Sequence, residues 1–162
     1  MGKSQKIKAE KLELGAGNFK NPDSGWHYQD IQKLPGIDIV CDMLDIDNCV
    51  EEESVKYLKA VHCIEHIPTN KVGELFGKLF KIMAKGGRIM IKVPNLQWHA
   101  QLLGEGRDEE AVLYCFGGQL DEFDFHKTGY TPKILKRYME QAGFSAVSID
   151  VKTEITASAY KE

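Results

Sequence analysis

The sequence predicts an α/β protein with a mainly parallel sheet, and three observations support this fold class. Apolar segments of strand length alternate with segments of helical periodicity along the chain. The first apolar segment runs into a Gly-x-Gly turn at Gly15 and Gly17, where the backbone can bend tightly and approach a ligand closely. Two further strand-like segments, 144–151 and 154–161, close the chain as a terminal pair.

The first half of the chain is rich in strands and poor in helices. Strands are predicted at 11–14, 26–31, 37–42 and 57–64. The connections 19–25 and 32–36 are too short for the helical crossovers that normally join parallel strands. We therefore predict that the helices of this half are trimmed to loops, with one short helix near the acidic residues Glu51, Glu52 and Glu53.

The second half contains the strongest helix signal. Apolar residues spaced by three and four between Val72 and Met83 predict an amphipathic helix, capped by Thr69 or Asn70 and ended by Gly86 and Gly87. Glycines within it at 73 and 77 indicate close packing on a sheet. A fifth strand follows at 88–94. The last helix is predicted to begin at Pro132, with Thr131 as its cap, and to end at Gly143.

These elements predict one domain over residues 11–162, preceded by a mobile leader at residues 1–10. Within the domain, residues 95–130 are predicted to be irregular and to form a lid or substrate region. Several strands alternate apolar and polar residues, as in 37–42 and 88–93, whereas fully buried parallel strands are continuously apolar. One face of the sheet is therefore predicted to be less covered, and the 95–130 region or a second subunit of a homodimer would cover it.

Composition narrows the classes of partner and location. A net charge of −3 gives no general attraction to nucleic acid or to an anionic membrane, and no apolar segment is long enough to cross a bilayer. The four cysteines, Cys41, Cys49, Cys63 and Cys115, include no CxxC pair. We interpret them as reduced residues of a cytoplasmic protein and expect no metal site from them.

The ordered set of motifs resembles a class I S-adenosylmethionine-dependent methyltransferase of the small, type 11-like kind. The resemblance covers about residues 11–161 and implies a Rossmann-like, mainly parallel seven-stranded sheet with a terminal antiparallel strand. The motifs are Leu-Glu-Leu-Gly-Ala-Gly-Asn (12–18), Tyr-Gln-Asp-Ile (28–31), Asp-Ile-Val-Cys-Asp-Met-Leu (38–44), Val-His-Cys-Ile-Glu-His-Ile-Pro (61–68), Lys-Gly-Gly-Arg-Ile-Met-Ile-Lys-Val-Pro-Asn (85–95), Phe-His-Lys-Thr-Gly-Tyr-Thr (125–131) and Glu-Gln-Ala-Gly-Phe (140–144).

The resemblance implies S-adenosylmethionine as the cofactor. Asp30 would accept hydrogen bonds from the ribose hydroxyls, and Asp42 would accept one from the adenine amino group. Lys20 and loop N–H groups are candidates for the cofactor carboxylate, because the first helix that usually binds there is missing. The residues implied to contact the cofactor are Glu13, Gly15, Ala16, Gly17, Asn18, Asp30, Ile31, Asp42, Met43, Leu44, His62 and Glu65.

Methyl transfer requires alignment more than acid–base chemistry, although an oxygen or nitrogen acceptor benefits from a base. The candidates for catalysis are His66, His126 and Glu65, with Trp98 and Tyr130 as substrate walls. A small metabolite, a sugar of a surface polysaccharide and a protein side chain all remain open as the acceptor, and the resemblance favours a small molecule or a glycan. Acidic residues are frequent in 95–130 and would repel the phosphates of a nucleic acid.

Three alternatives remain open. A catalytically inactive, methyltransferase-like binding or regulatory subunit would share the fold. A nicotinamide-dependent dehydrogenase would also use a glycine turn and Asp30, but its third glycine position is Lys20 here. The HxxEH pattern at 62–66 occurs in one class of zinc peptidase, which needs both histidines on a helix. Here the pattern begins within a predicted strand, and Pro68 follows soon after it.

Overall fold

The structure is a computed structural model that describes residues 5–18, 20–21 and 25–162. Within these residues, the chain forms seven strands and five α-helices in the order β1-β2-β3-α1-β4-α2-β5-α3-α4-α5-β6-β7. The strands are β1 (Lys11–Leu14), β2 (His27–Asp30), β3 (Ile39–Val40), β4 (Val55–Val61), β5 (Met83–Pro94), β6 (Ser145–Val151) and β7 (Glu154–Tyr160). The helices are α1 (Ile46–Cys49), α2 (Val72–Ile82), α3 (Leu96–Gly104), α4 (Asp108–Phe116) and α5 (Pro132–Gln141).

The seven strands form one sheet in the order β3-β2-β1-β4-β5-β7-β6. The pairs from β3 through β5 are parallel, and β7 is antiparallel to both β5 and β6. This arrangement confirms the predicted fold class. The chain leaves β1 toward β2 on one side and later returns to β4 on the other. The carboxyl end of β1 is therefore a topological switch point, which is where open α/β sheets place their ligands.

The core lies on one face of the sheet. Successive side chains of β1, β4, β5 and β7 point to opposite faces of the sheet. Those on one face pack against α2 and α5. The apolar stripe of α2 is fully buried except for Phe80, which is partly buried. Phe76 stacks on Tyr138 of α5 with ring centroids 6.0 Å apart. The predicted periodicity of this helix is therefore confirmed, although its glycines do not pack on the sheet: at Gly73 and Gly77 an added Cβ would meet nothing within 4 Å.

The other face of the sheet is open. Tyr57, Arg88 and Tyr160 lie side by side on neighbouring strands, and all three are exposed. The 95–130 region leaves this row uncovered, so that version of the prediction is wrong for the row itself. Residues Leu120, Asp121 and Asp124 of the region do border a cavity together with Glu13, Lys59 and Val61 of the same face. Coverage by a second copy stays a prediction.

The N-terminal segment belongs to the folded domain from Ile7 onward. Ile7 forms a parallel bridge with Val50, and Ala9 is fully buried. Lys6 donates a hydrogen bond to the carbonyl of Asp47. The mobile leader predicted for residues 1–10 is therefore wrong for this part, because its apolar residues complete the core; residues 1–4 lie outside the described residues.

Two helix boundaries differ from the prediction. The short helix lies at Ile46–Cys49, after a 3-10 turn at Met43–Asp45, and the acidic residues 51–53 follow it in a turn. Neither Thr69 nor Asn70 caps α2, because both belong to a preceding 3-10 turn and the hydroxyl of Thr69 bonds to the 127–128 segment. The helix ends at Ile82, before Gly86, and β5 begins directly after it.

The 95–130 region is partly helical rather than irregular. Asn95 caps α3 by accepting a hydrogen bond from the N–H of Gln97. The acidic first turn of α4 suits the positive end of a helix dipole. Their apolar residues do not form a single buried stripe, which is why the periodicity does not reveal them. None of the helices in the described residues is long and apolar enough to span a membrane.

Candidate active site

Two adjoining cavities open at the carboxyl ends of β1, β2 and β4. One has a volume of about 370 Å³ and the other about 750 Å³, and both are bordered by Gly15, Gln32, His62 and Phe123. These volumes are in the range of sites for cofactor-sized ligands. The position agrees with the switch point of the sheet.

The residues implied to bind the cofactor converge on these cavities, with one exception. The smaller cavity is bordered by Gly15 and His62, which both cavities share, and by Asp30, Ile31, Asp42, Met43 and Leu44. The larger is bordered by Glu13, Ala16, Gly17 and Asn18. Glu65 is the exception, since it lies behind the wall and borders a third, much smaller cavity.

The glycine turn after β1 is shaped by close packing. Gly15 has φ +57°, and a Cβ there would lie 2.4 Å from Cβ of Cys63, so no other residue fits without a backbone shift. The N–H of Gly15 donates to Oε1 of Gln29 at 3.2 Å, while Nε2 of Gln29 donates to the carbonyl of Cys41. The turn N–H groups at 15 and 17 are therefore bonded to β2 residues, and the turn presents its side-chain-free surface to the cavity.

Asp30 holds the same turn from the end of β2. Its Oδ2 accepts a 2.8 Å hydrogen bond from the N–H of Gly17, and its Oδ1 accepts one of 2.9 Å from Gln32. The side chain is largely buried but borders the cavity. Since each carboxylate oxygen can accept more than one hydrogen bond, Asp30 retains acceptor capacity for two ligand hydroxyls.

The segment after β3 forms an apolar wall. Asp42 caps a 3-10 turn by accepting a 2.8 Å hydrogen bond from the N–H of Leu44. The turn directs Met43 and Leu44 toward the cavity, opposite Ile31 at the end of β2. A flat apolar ring would fit against this wall, with the exposed carboxylate of Asp42 at its edge.

The lysine suggested for the cofactor carboxylate is placed elsewhere. Nζ of Lys20 donates to the carbonyl of Gly17 at 2.7 Å, and Lys20 does not border either cavity. Lys59 and Lys127 do border them. Lys59 is paired at 2.8 Å with Glu13, which fixes both side chains beside the turn.

His62 occupies a strained position at the end of β4. Its φ is +49°, a backbone conformation that is uncommon for a residue with a side chain and that concentrates at functional sites. Its Nε2 lies 2.6 Å from Glu154, and its Nδ1 lies 3.5 Å from Oε1 of Glu65, at the limit of a hydrogen bond. The Glu65 carboxylate raises the pKa of His62 above its usual value, which favours an imidazolium ion beside the cavity.

The residues suggested for catalysis lie together. Glu65 and His66 belong to a 3-10 turn at Ile64–His66, and the ring of His126 packs edge-on against His66 with centroids 5.2 Å apart. His66 borders the smaller of the two main cavities, whereas Glu65 and His126 border the small cavity behind it. The HxxEH segment is therefore not helical, which excludes the arrangement that the zinc peptidases require.

The two suggested substrate walls are placed differently. Tyr130 is buried and donates a hydrogen bond to the carbonyl of Ile64, and burial raises its pKa. It borders the small cavity beside Glu65. Trp98 borders none of the three cavities described here and instead packs on His99 and Tyr114 of the helical pair.

Sequence reasoning misses several residues of the site. Gln29 is fully buried and holds the glycine turn, and Phe123 and Lys127 come from the 95–130 region to border the cavities. A polar residue at a buried strand position directly before Asp30 is the signal that could have indicated Gln29. Phe123 and Lys127 carry no such local signal.

The fold and the cavities define a class of protein: the fold is that of S-adenosylmethionine-dependent methyltransferases. The structure resembles such an enzyme from Archaeoglobus fulgidus with a TM-score of 0.66 and 17% identity, over 95% of this chain and 87% of that one. It resembles phosphoethanolamine N-methyltransferase 2 of Haemonchus contortus, in complex with S-adenosylmethionine, with a TM-score of 0.62 and 13% identity. That match covers 98% of this chain but only 50% of the length of the Haemonchus contortus chain. The structure also resembles the 1,6-didemethyltoxoflavin-N1-methyltransferase of Burkholderia thailandensis, with a TM-score of 0.62 and 15% identity, over 94% of this chain and 71% of that one.

The sequence assigns the family. A profile of the methyltransferase domain matches residues 7–149, so the chain belongs to the methyltransferase domain family. No curated protein sequence matches the chain. The predicted class is thereby confirmed, and S-adenosylmethionine is the cofactor of that class.

Proposed function

We propose that this protein transfers the methyl group of S-adenosylmethionine to a small molecule or a glycan. The observation that supports it best is the junction of the glycine turn with Asp30 at a cavity of cofactor size. When bound, the cofactor supplies an electrophilic methyl group on a sulfonium.

The residues present fit the cofactor. Asp30 offers two carboxylate oxygens to the ribose hydroxyls while it keeps the turn at Gly17 in place. Met43 and Leu44 form an apolar surface for the adenine ring. At Gly17, which borders the larger cavity, an added Cβ would meet nothing in the protein within 4 Å, so the turn leaves space for the methionine part beside the backbone.

The acceptor is proposed to enter between His66 and the 120–127 segment. His66, Phe123 and Lys127 border the same cavity as Asp30 and Met43. Asp121 and Asp124 border the larger cavity and make its entrance acidic. Such an entrance suits a neutral or cationic acceptor better than a polyphosphate, which is the physical reason for preferring a metabolite or a sugar over a nucleic acid.

Calorimetric titration with S-adenosylhomocysteine and S-adenosylmethionine, with NAD in parallel, tests the cofactor site. The expected result is micromolar binding of the first two ligands and none of NAD, with a loss of at least about tenfold in Asp30→Asn because one acceptor oxygen becomes a donor. Asp150→Asn is the matched control, since Asp150 is an exposed residue of β6.

Absence of binding by the folded wild-type protein would overturn the proposal. It would favour the catalytically inactive, methyltransferase-like subunit predicted as an alternative. Equal affinity in Asp30→Asn and in the wild type would contradict the assigned ribose contact. Thermal unfolding of each variant without ligand shows whether a loss of affinity reflects a loss of fold.

A further inference from the structure

Three side chains behind the cofactor cavity are arranged as metal ligands. Glu65, His66 and His126 each offer one ligand atom, and these atoms lie within 4.8 Å of one another. The two histidines are 60 positions apart in the sequence, and the hydrogen bonds of Lys127 and Thr128 to the carbonyl of Glu65 bring them together. Two nitrogens and one carboxylate oxygen form a donor set typical of zinc and neighbouring transition metals.

The histidine rings have a fixed orientation. Nδ1 of His66 lies 3.0 Å from the carbonyl of Phe125, and Nδ1 of His126 lies 2.9 Å from the carbonyl of Tyr114. A carbonyl oxygen can only accept, so each Nδ1 carries the proton and each Nε2 keeps a free lone pair. Metal-binding histidines are held in this way, by a backbone acceptor on the nitrogen that does not bind the metal.

The carboxylate of Glu65 is an independent indication of a cation. The residue is 1% exposed, and neither carboxylate oxygen has a hydrogen-bond partner. The nearest cationic group is His62, whose Nδ1 is 3.5 Å away and whose Nε2 is already bonded to Glu154. A buried, unsatisfied carboxylate is costly, and coordination of a cation is one of the few arrangements that compensates for it.

We propose that Glu65, His66 and His126 bind one divalent transition metal ion, with zinc as the reference case. Ligand atoms around a tetrahedral zinc ion are about 3.4 Å apart. The three ligand atoms lie within 4.8 Å of one another, so they need to approach by up to about 1.4 Å. The small cavity bordered by Glu65 and His126 has a volume of about 10 Å³, which is the space of about one water molecule or ion.

The site lies where an acceptor would bind. His66 also borders the cofactor cavity, so the proposed site lies next to the proposed entrance for the acceptor. This consequence rests on the proposed function: a hydroxyl or amine of the acceptor would coordinate the metal, which lowers its pKa, and its proton would leave to solvent. His66 and His126 would then position the acceptor through the metal and not act as bases. The sequence alone predicts no metal here.

Titration of untagged, metal-stripped protein tests the site. Zinc is followed by calorimetry and cobalt by its visible absorption, both without any cofactor. The expected result is one equivalent bound with micromolar or tighter affinity, and no such binding in Glu65→Gln or His126→Ala. His27→Gln is the matched control, since His27 lies at the opposite end of β2 and should leave metal binding unchanged.

Two outcomes would overturn the site: no stoichiometric binding by the wild type, or equal binding by the variants and the wild type. Circular dichroism of each metal-free variant checks that it is folded, and His126→Ala serves if the buried Glu65→Gln does not fold. Titration with S-adenosylhomocysteine separates this proposal from the previous one. A protein that binds cobalt but no S-adenosylhomocysteine supports the metal site and overturns the proposed function. A protein that binds S-adenosylhomocysteine but no cobalt supports the proposed function and overturns the metal site.

Discussion

The N–H of Gly17 donates a 2.8 Å hydrogen bond to Oδ2 of Asp30, which joins the turn after β1 to the end of β2. In the proposed function the same carboxylate binds the ribose. The shape of the turn and the affinity for the cofactor are therefore coupled through one side chain. This coupling explains how the site keeps its geometry although the described residues between β1 and β2, and those between β2 and β3, form no helix.

The first prediction compares two alanine substitutions in this turn. Gly17→Ala should cost about 1–2 kcal/mol of unfolding free energy, because its φ is +53°, which strains any residue with a Cβ. No steric overlap adds to this cost, since the added Cβ meets nothing within 4 Å. Gly15→Ala should cost about 1–3 kcal/mol more, because its Cβ would also overlap Cβ of Cys63 at 2.4 Å. Urea unfolding measures both. Cys63→Gly should partly rescue Gly15→Ala, and equal losses in the two single variants would contradict the role of the contact.

The second prediction concerns Gln29, whose amide links Gly15 to Cys41. Gln29→Leu keeps the approximate volume but leaves the N–H of Gly15 and the carbonyl of Cys41 without this partner. The expected loss is about 1–3 kcal/mol for each group that stays unsatisfied. Urea unfolding measures it, with the exposed Gln101→Leu as the control, for which a change within about 0.5 kcal/mol is expected. Similar values for the two variants would contradict the role given to Gln29.

Local patterns are sufficient to predict the parts of the site that local sequence builds. A strand that ends in Gly15-Ala16-Gly17, and another that ends in Asp30, indicate a ligand edge without knowledge of the fold. Gln29 is harder to predict, because a polar residue at a buried strand position is its only local signal and its contacts with Gly15 and Cys41 lie in two neighbouring segments. The sequence indicates Glu65 and His126 as candidates but not their proximity, which arises because the 126–128 segment folds back on Glu65.

The third prediction is a gain in stability from Gly77→Ala. Gly77 lies in the interior of α2, is exposed, and has open space where a Cβ would be added. Alanine is favoured over glycine at such a position by about 1 kcal/mol. Thermal unfolding measures the gain in stability. Gly77→Ala should leave ligand binding unchanged. Gly143→Ala should lower stability instead, because its φ is +104° and Phe80 lies 3.0 Å from the added carbon; a loss in both variants would contradict the assignment of Gly77.

The errors of prediction share a physical cause. The sequence pattern of α2 identifies its buried stripe, but glycines at 73 and 77 have the same pattern whether they face the sheet or solvent. Helices α3 and α4 escape detection because many of their apolar side chains, such as Leu103, Val112 and Phe116, are exposed. Burial of one face produces the periodicity on which such predictions depend, so helices that bury little produce little signal.

The last prediction is a pH-dependent loss of stability in Glu154→Gln. The carboxylate of Glu154 contacts Nζ of Lys92 and lies 2.6 Å from Nε2 of His62. Partial burial raises its pKa, but Lys92 and His62 lower it by more, so the pKa lies below its usual value of 4.5. A depressed pKa means that the carboxylate contributes stability above about pH 4.5 and loses that contribution as the pH falls through the pKa of the folded state.

Glu154→Gln should therefore be less stable than the wild type at pH 5.5, and the difference should shrink toward pH 3. Urea unfolding at both pH values measures it, with the exposed Glu140→Gln as a control that should show almost no difference at either pH. A difference that stays constant or grows on acidification would show that Glu154 acts by packing and not by charge.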